Sequence, residues 1–158
     1  MFHPVGILYR GVINALAHLN FVEGAYTPMG YNRGGAGIYA ACKGSDEVGW
    51  EWALGAALGN PSHVIQLALR KTAKVSDSET LRKKAAIAAQ QLQALKPTSD
   101  VDERRISNRL VITQDLGRFA YWLGVDAYIN TWDNLPMLNG GHLKEINIIN
   151  RTAVIFKR

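Results

Sequence analysis

Between His63 and Lys71 apolar and polar residues change places at every second position. Ile65, Leu67 and Leu69 fall on one side, and Val64, Gln66, Ala68 and Arg70 on the other, the period of a half-buried strand. Further along, Leu81, Ala85, Ala88, Leu92 and Leu95 recur every three or four positions, which predicts an amphipathic helix. Ser76-Asp77-Ser78-Glu79 precedes it and reads as a capping box in which Ser76 and Glu79 satisfy each other's orphan amides. By the same reasoning Gly6 to Arg10 and Ile38 to Ala41 are strands, and Val12 to Val22 is a helix. Ser45 and Asp46 cap a further helix that runs to about Leu58 and stops at Asn60-Pro61. The polar segment from Lys96 to Asn108 reads as a loop, and Thr113 to Leu123 as a helix closed by Gly124. Asp126 to Asn130 is a short strand, Asn130 to Gly141 an irregular link, and Leu143 to Ile149 and Ala153 to Phe156 are the last strands. Strands at both ends with helices between them predict a single α+β domain over residues 1–158, with a mixed, mostly antiparallel sheet.

Composition narrows the class without naming it. The chain has 158 residues, 47% hydrophobic and 20% charged, enough to bury a core without disulfides or a structural metal. No apolar run approaches the roughly 20 residues of a membrane-spanning helix, so no membrane partner is expected. The start, Met1-Phe2-His3-Pro4, lacks the basic and apolar segments of a secretory signal peptide. One cysteine, Cys42, and four scattered histidines give neither a disulfide nor metal-ligand spacing. A formal charge of +5 favours acidic partners. Arg70-Lys71, Arg82-Lys83-Lys84 and Arg104-Arg105 are either a nucleic-acid face or a solvated helix and loop surface.

Candidate chemistry lies elsewhere. Leu8-Tyr9-Arg10-Gly11 ends the first strand, Arg33-Gly34-Gly35-Ala36-Gly37 leads into Ile38-Tyr39-Ala40-Ala41, and Glu145 stands in the alternating Lys144-Glu145-Ile146-Asn147-Ile148-Ile149. If Ile146 and Ile148 enter the core, Glu145 and Asn147 face a cleft or solvent. These three motifs together resemble the ADP-ribosyltransferase superfamily, chiefly its poly-ADP-ribose-polymerase-like branch and bacterial toxin-type mono-ADP-ribosyltransferases. The resemblance implies a split sheet forming a cleft for NAD, which is consumed as substrate without a metal. It implies catalytic roles for Arg10, Tyr39 and Glu145. Arg10 would grip phosphate or ribose through its planar fork, and Gly11 would let the nicotinamide amide approach the main chain. Tyr39 would stack on nicotinamide beside the small Ala40 and Ala41, Trp50 would close the other face, and Ser45 would bind the amide. Glu145 would bond a ribose hydroxyl and stabilise the cationic transition state.

The motifs form a hybrid. Arg10-Gly11 is similar to the arginine-first branch, whereas Tyr39-Ala40-Ala41 stands where that branch has Ser-Thr-Ser. Leu143 stands two positions before Glu145, where arginine-modifying members carry Glu or Gln, so arginine is not the implied acceptor. The expectation is a mono-ADP-ribosyltransferase acting on a protein or nucleic acid. It would be a bacterial effector or toxin domain, secreted or injected to act in a target-cell cytoplasm, with an immunity protein that blocks the cleft. Glu23 to Asn32 and Thr131 to Gly141 are the loops expected to meet the acceptor. Two other readings stay open. An NAD phosphorylase or glycohydrolase of the RES type shares the early Tyr-Arg pair and would take its acid from Glu47 or Glu51. A non-enzymatic basic module would bind RNA through the Lys/Arg clusters.

Overall fold

The structure, a computed structural model, describes residues 2–23, 37–42, 48–136 and 142–157. The order of elements is β1 (Leu8–Gly11), α1 (Ala15–Glu23), β2 (Ile38–Cys42), α2 (Val48–Ala56), β3 (Val64–Leu69), β4 (Val75–Asp77), α3 (Ser78–Gln93), α4 (Asp100–Gln114), α5 (Leu116–Trp122), β5 (Ala127–Pro136), β6 (His142–Ile148) and β7 (Val154–Phe156). Short 3-10 turns at Pro61–His63 and Arg151–Ala153 lead into β3 and β7. All seven strands join in one open sheet of order β4-β5-β6-β2-β1-β3-β7. The β4–β5 pair is parallel and the other pairings are antiparallel. The protein is thus α+β, with a mixed, mostly antiparallel sheet flanked by helices.

Alternation divides the sheet into two unlike faces. On one, Leu8, Ile38, Ala40, Cys42, Ile65, Leu67, Leu69, Ala127, Ile146, Ile148 and Val154 form the main apolar core with Val12 and with Phe21 of α1. Ile65, Leu67 and Leu69 are therefore inward, as the period-two pattern predicts. On the other face two helical groups pack apart from each other. Ala53 and Ala57, in and just after α2, cluster with Val64, against which Tyr9 and Trp50 pack. Leu81 of α3 and Leu116 and Ala120 of α5 cluster with Tyr128 of β5. Gly11 explains how α2 comes so near β1: a Cβ there would lie 1.9 Å from the Ala53 carbonyl oxygen. A central strand covered on both faces must be buried throughout, and every residue of β2 is.

Four local expectations are corrected. The cap of α3 is Asp77, not Ser76: Asp77 Oδ1 accepts from Thr80 N at 2.8 Å, while Ser76 is in β4 opposite Tyr128. The expected loop up to Asn108 is mostly α4, begun by Ser99, whose Oγ accepts from Asp102 N at 3.1 Å. Asp100, Asp102 and Glu103 in its first turn complement the helix dipole, but no α4 residue is buried, so the helix leaves no apolar stripe to read. The helix expected from Thr113 is broken at Asp115, which ends α4 and caps α5 by accepting from Gly117 N and Arg118 N at 3.0 and 3.2 Å. The expected link after Asn130 continues as β5 to Pro136, its register against β6 shifting between Asn130 and Leu135.

Candidate functional site

Two rungs of residues cross the face that carries α2, α3 and α5. One rung runs Gln66, Tyr9, Ala41, Glu145, Asn130 across β3, β1, β2, β6 and β5. The next runs Tyr39, Asn147, Tyr128, Ser76 across β2, β6, β5 and β4. Tyr39 and Glu145 are thus diagonal neighbours on adjacent strands, a spacing of about 7–8 Å. Chain segments more than a hundred positions apart meet here because β6 is hydrogen-bonded directly to β2.

The second rung is a buried polar network. Tyr39 is 5% exposed, and Tyr128 and Asn147 are fully buried. Asn147 Nδ2 donates to the Tyr128 hydroxyl at 2.7 Å and lies 3.4 Å from that of Tyr39. The two phenols are hydrogen-bonded to each other. Burial pushes the Tyr128 phenol up to about 12, opposed by the Asn147 bond. Burial, then the neighbouring Tyr128 and Glu145, drives Tyr39 further above the ordinary phenol range. Both phenols are therefore neutral at physiological pH. Gly37 belongs to the same packing, since a Cβ there would lie 1.9 Å from Asn147 Oδ1. The glycine two positions before Tyr39 makes room for an asparagine of β6.

Glu145 differs from this base in being half-buried. Its Oε1 accepts from Nδ2 of Asn130 at 2.7 Å, and Asn130 is 2% exposed. A carboxylate that keeps access to solvent is thus seated on buried tyrosines and amides. Asp115, at the start of α5, adds a second negative charge near both phenols.

Arg10 stands on the other side of the sheet. It pairs with Ile65, and its guanidinium lies 5.0 Å from the centroid of the Phe21 ring, within the apolar face. Its Nη1 nevertheless reaches the main chain of the site strand, donating to the Tyr39 carbonyl at 2.5 Å. Ala40 is fully buried on that apolar face, facing away from Glu145. Trp50 is half-buried on α2 and meets Tyr9 edge-on at 5.8 Å. Gly11 carries the approach of α2. Ser45 and Glu47 lie outside the described residues, and Glu51 is exposed on α2. Sequence reasoning flagged Asn147 through alternation but missed Asn130 and Tyr128, whose importance arises from pairing with β6.

The basic clusters lie largely on exposed surface, with Arg82 half-buried. Arg70, Lys71, Lys83, Lys84, Arg104 and Arg105 are exposed. Lys83 pairs with Glu79 at 3.0 Å and Arg105 with Asp102, so acidic neighbours partly offset the charge. Among the described residues no group of three or more His, Cys, Asp or Glu side chains is placed to hold a metal ion, and no helix is long and apolar enough to cross a membrane. No protein-family model matches the chain, and neither the curated proteins nor the solved structures provide a match.

Proposed function

We propose that this protein is a mono-ADP-ribosyltransferase that consumes NAD, with Glu145 as its acidic catalytic residue. The observation that carries the reading is the placement of a half-buried carboxylate on β6 one rung from Tyr39 of β2, over a fixed polar base. When the bond between nicotinamide and ribose breaks, its electron pair leaves with nicotinamide and positive charge builds on the sugar. A preoriented carboxylate stabilises that charge, because little reorganisation is required as it develops. The acceptor's nucleophile then forms the new bond to the sugar carbon and gives its proton to solvent. Tyr39 serves this reading as part of the base under the carboxylate, and Arg10 as the anchor that holds the β2 main chain from behind. The macromolecular acceptor, the effector or toxin role and a blocking partner are supported by the resemblance of motifs alone.

The test is nicotinamide release from NAD by the full chain, with a cell lysate supplying acceptors. Glu145→Gln, which keeps shape and removes charge, should lower turnover by about 100- to 1,000-fold while the protein stays folded. Glu51→Gln should leave turnover near that of the unaltered chain. The reverse ranking would transfer the acid to α2 and favour the RES-type reading. Absence of release under all acceptors, together with salt-sensitive RNA binding, would favour the binding module.

A further inference from the structure

The carboxylate at the centre of this reading is held by a residue that no motif singles out. Asn130 is on β5 directly opposite Glu145 of β6, and its Nδ2 donates to Glu145 Oε1 at 2.7 Å. The amide cannot be reversed without setting its oxygen against a carboxylate oxygen, so the donor orientation is fixed by charge. Asn130 Oδ1 is buried with no hydrogen-bond partner among the described residues. A buried acceptor in that state is costly, and an apolar side chain at the same place would avoid the cost. The position thus retains an amide that packing alone does not favour. What the amide does there is direct one proton at Glu145. Just beyond Asn130 the β5–β6 register shifts, so Asn130 is the last in-register partner before the irregularity. The contact sits where the strand pair is still regular enough to set a side chain's direction.

We infer that Asn130 is a positioning residue for Glu145, fixing the direction of its carboxylate for the developing charge on the ribose. This rests on the ADP-ribosyl reading of the site. The amide touches no substrate; it acts through the carboxylate. Misdirecting a catalytic group by about 1 Å costs on the order of 100-fold in rate, with little effect on how tightly the substrate is held.

Asn130→Leu and Asn130→Asp in the full chain, assayed for nicotinamide release, test the inference. Asn130→Leu should lower kcat by about 100-fold with KM for NAD nearly unchanged. Asn130→Asp should be at least as impaired at neutral pH, because two carboxylates then face each other. Its activity should recover as pH falls and the introduced carboxyl gains a proton to donate. A merely structural asparagine would give no such recovery and would shift the melting temperature without dividing kcat from KM. Full kcat in folded Asn130→Leu overturns the inference. A crystal structure of the Asn130→Leu variant provides a readout independent of turnover. A reoriented Glu145 carboxylate supports the inference, and an unmoved one overturns it. An unaltered chain that releases no nicotinamide, with a reoriented Glu145 in the variant, defeats the ADP-ribosyl reading while leaving the positioning contact standing.

Discussion

Ile146 and Asn147 are adjacent on one strand, both fully buried, and point into opposite worlds. Ile146 enters the apolar core with Leu8, Ala40 and Ile65, while Asn147 ties two tyrosines together beneath α3 and α5. The apolar face is held by area removed from water, a non-directional term that tolerates small shifts. The polar face is held by hydrogen bonds in a low-dielectric setting, which fix direction and penalise any missing partner. The same sheet therefore supplies stability on one side and orientation on the other. Arg10 joins the two, because its side chain belongs to the apolar face while its donor ends on the main chain of Tyr39.

The largest effect expected from this contrast is on stability. Ile146→Ala removes a fully buried side chain and should cost about 3 kcal/mol in urea unfolding, with turnover per folded molecule retained. Asn147→Leu should cost about 2 kcal/mol, from the stranded tyrosine hydroxyls, and should also lower NAD turnover, since the base beneath Glu145 loses its tie. If the two substitutions depress both quantities in the same proportion, the division of labour between the faces is wrong.

An intermediate effect separates the faces by pH. Folding raises the Tyr128 phenol to about 12 from an ordinary value near 10, and raises Tyr39 still further. The folded state binds these protons more tightly than the unfolded chain does. The stability they represent is complete below about pH 10; the share of Tyr128 is lost as pH rises through about 12, and that of Tyr39 goes on falling above it. Unfolding free energy measured by denaturant titration should therefore fall steeply over that window. In Tyr39→Phe/Tyr128→Phe the slope should flatten, whereas Ile146→Ala should lower the curve without changing its slope. Tyrosinate absorbance near 295 nm gives the same information directly.

Much of the sheet was legible because its period-two signal is strong where strands are buried. Ile65, Leu67 and Leu69 fell inward as their spacing required, and Ile146 and Ile148 entered the core, leaving Glu145 and Asn147 opposite. What could not be read are states created by a partner distant in sequence. Val75–Asp77 is too short to have a period and becomes a strand by parallel pairing with Ala127, Tyr128 and Ile129. The continuation of β5 past Asn130 likewise depends on β6. Helix α4 was hidden for a different reason: caps and charges sustain it, not a buried stripe. For the candidate site, motif wording put Arg10 beside Tyr39. Wording does not register that successive residues on a strand face opposite sides, and alternation from Tyr9 turns Arg10 to the other face.

The smallest effect concerns the helix laid over the polar face. Asp77 starts α3 by accepting from Thr80 N at 2.8 Å and from Thr80 Oγ1 at 2.9 Å, and the amide bond first of all holds its carboxyl below the ordinary carboxylate range. Asp77→Ala should cost about 1 kcal/mol, while Ser76→Ala, which leaves the cap intact, should cost measurably less. The sign of the pH dependence follows from the depressed value. The unfolded chain holds this proton more tightly, so the contribution is present above the unfolded value near 4 and disappears as pH falls through the lower folded one. Asp77→Asn keeps an acceptor for the Thr80 amide but cannot titrate, so it should retain most of the stability and lose its acid sensitivity. The acid-side loss arises at the cap of α3 and the alkaline loss at Tyr128, against which Leu81 of that helix packs. A chain whose pH dependence survived all of these substitutions would owe it to other groups, and the contrast between the two sides would fail.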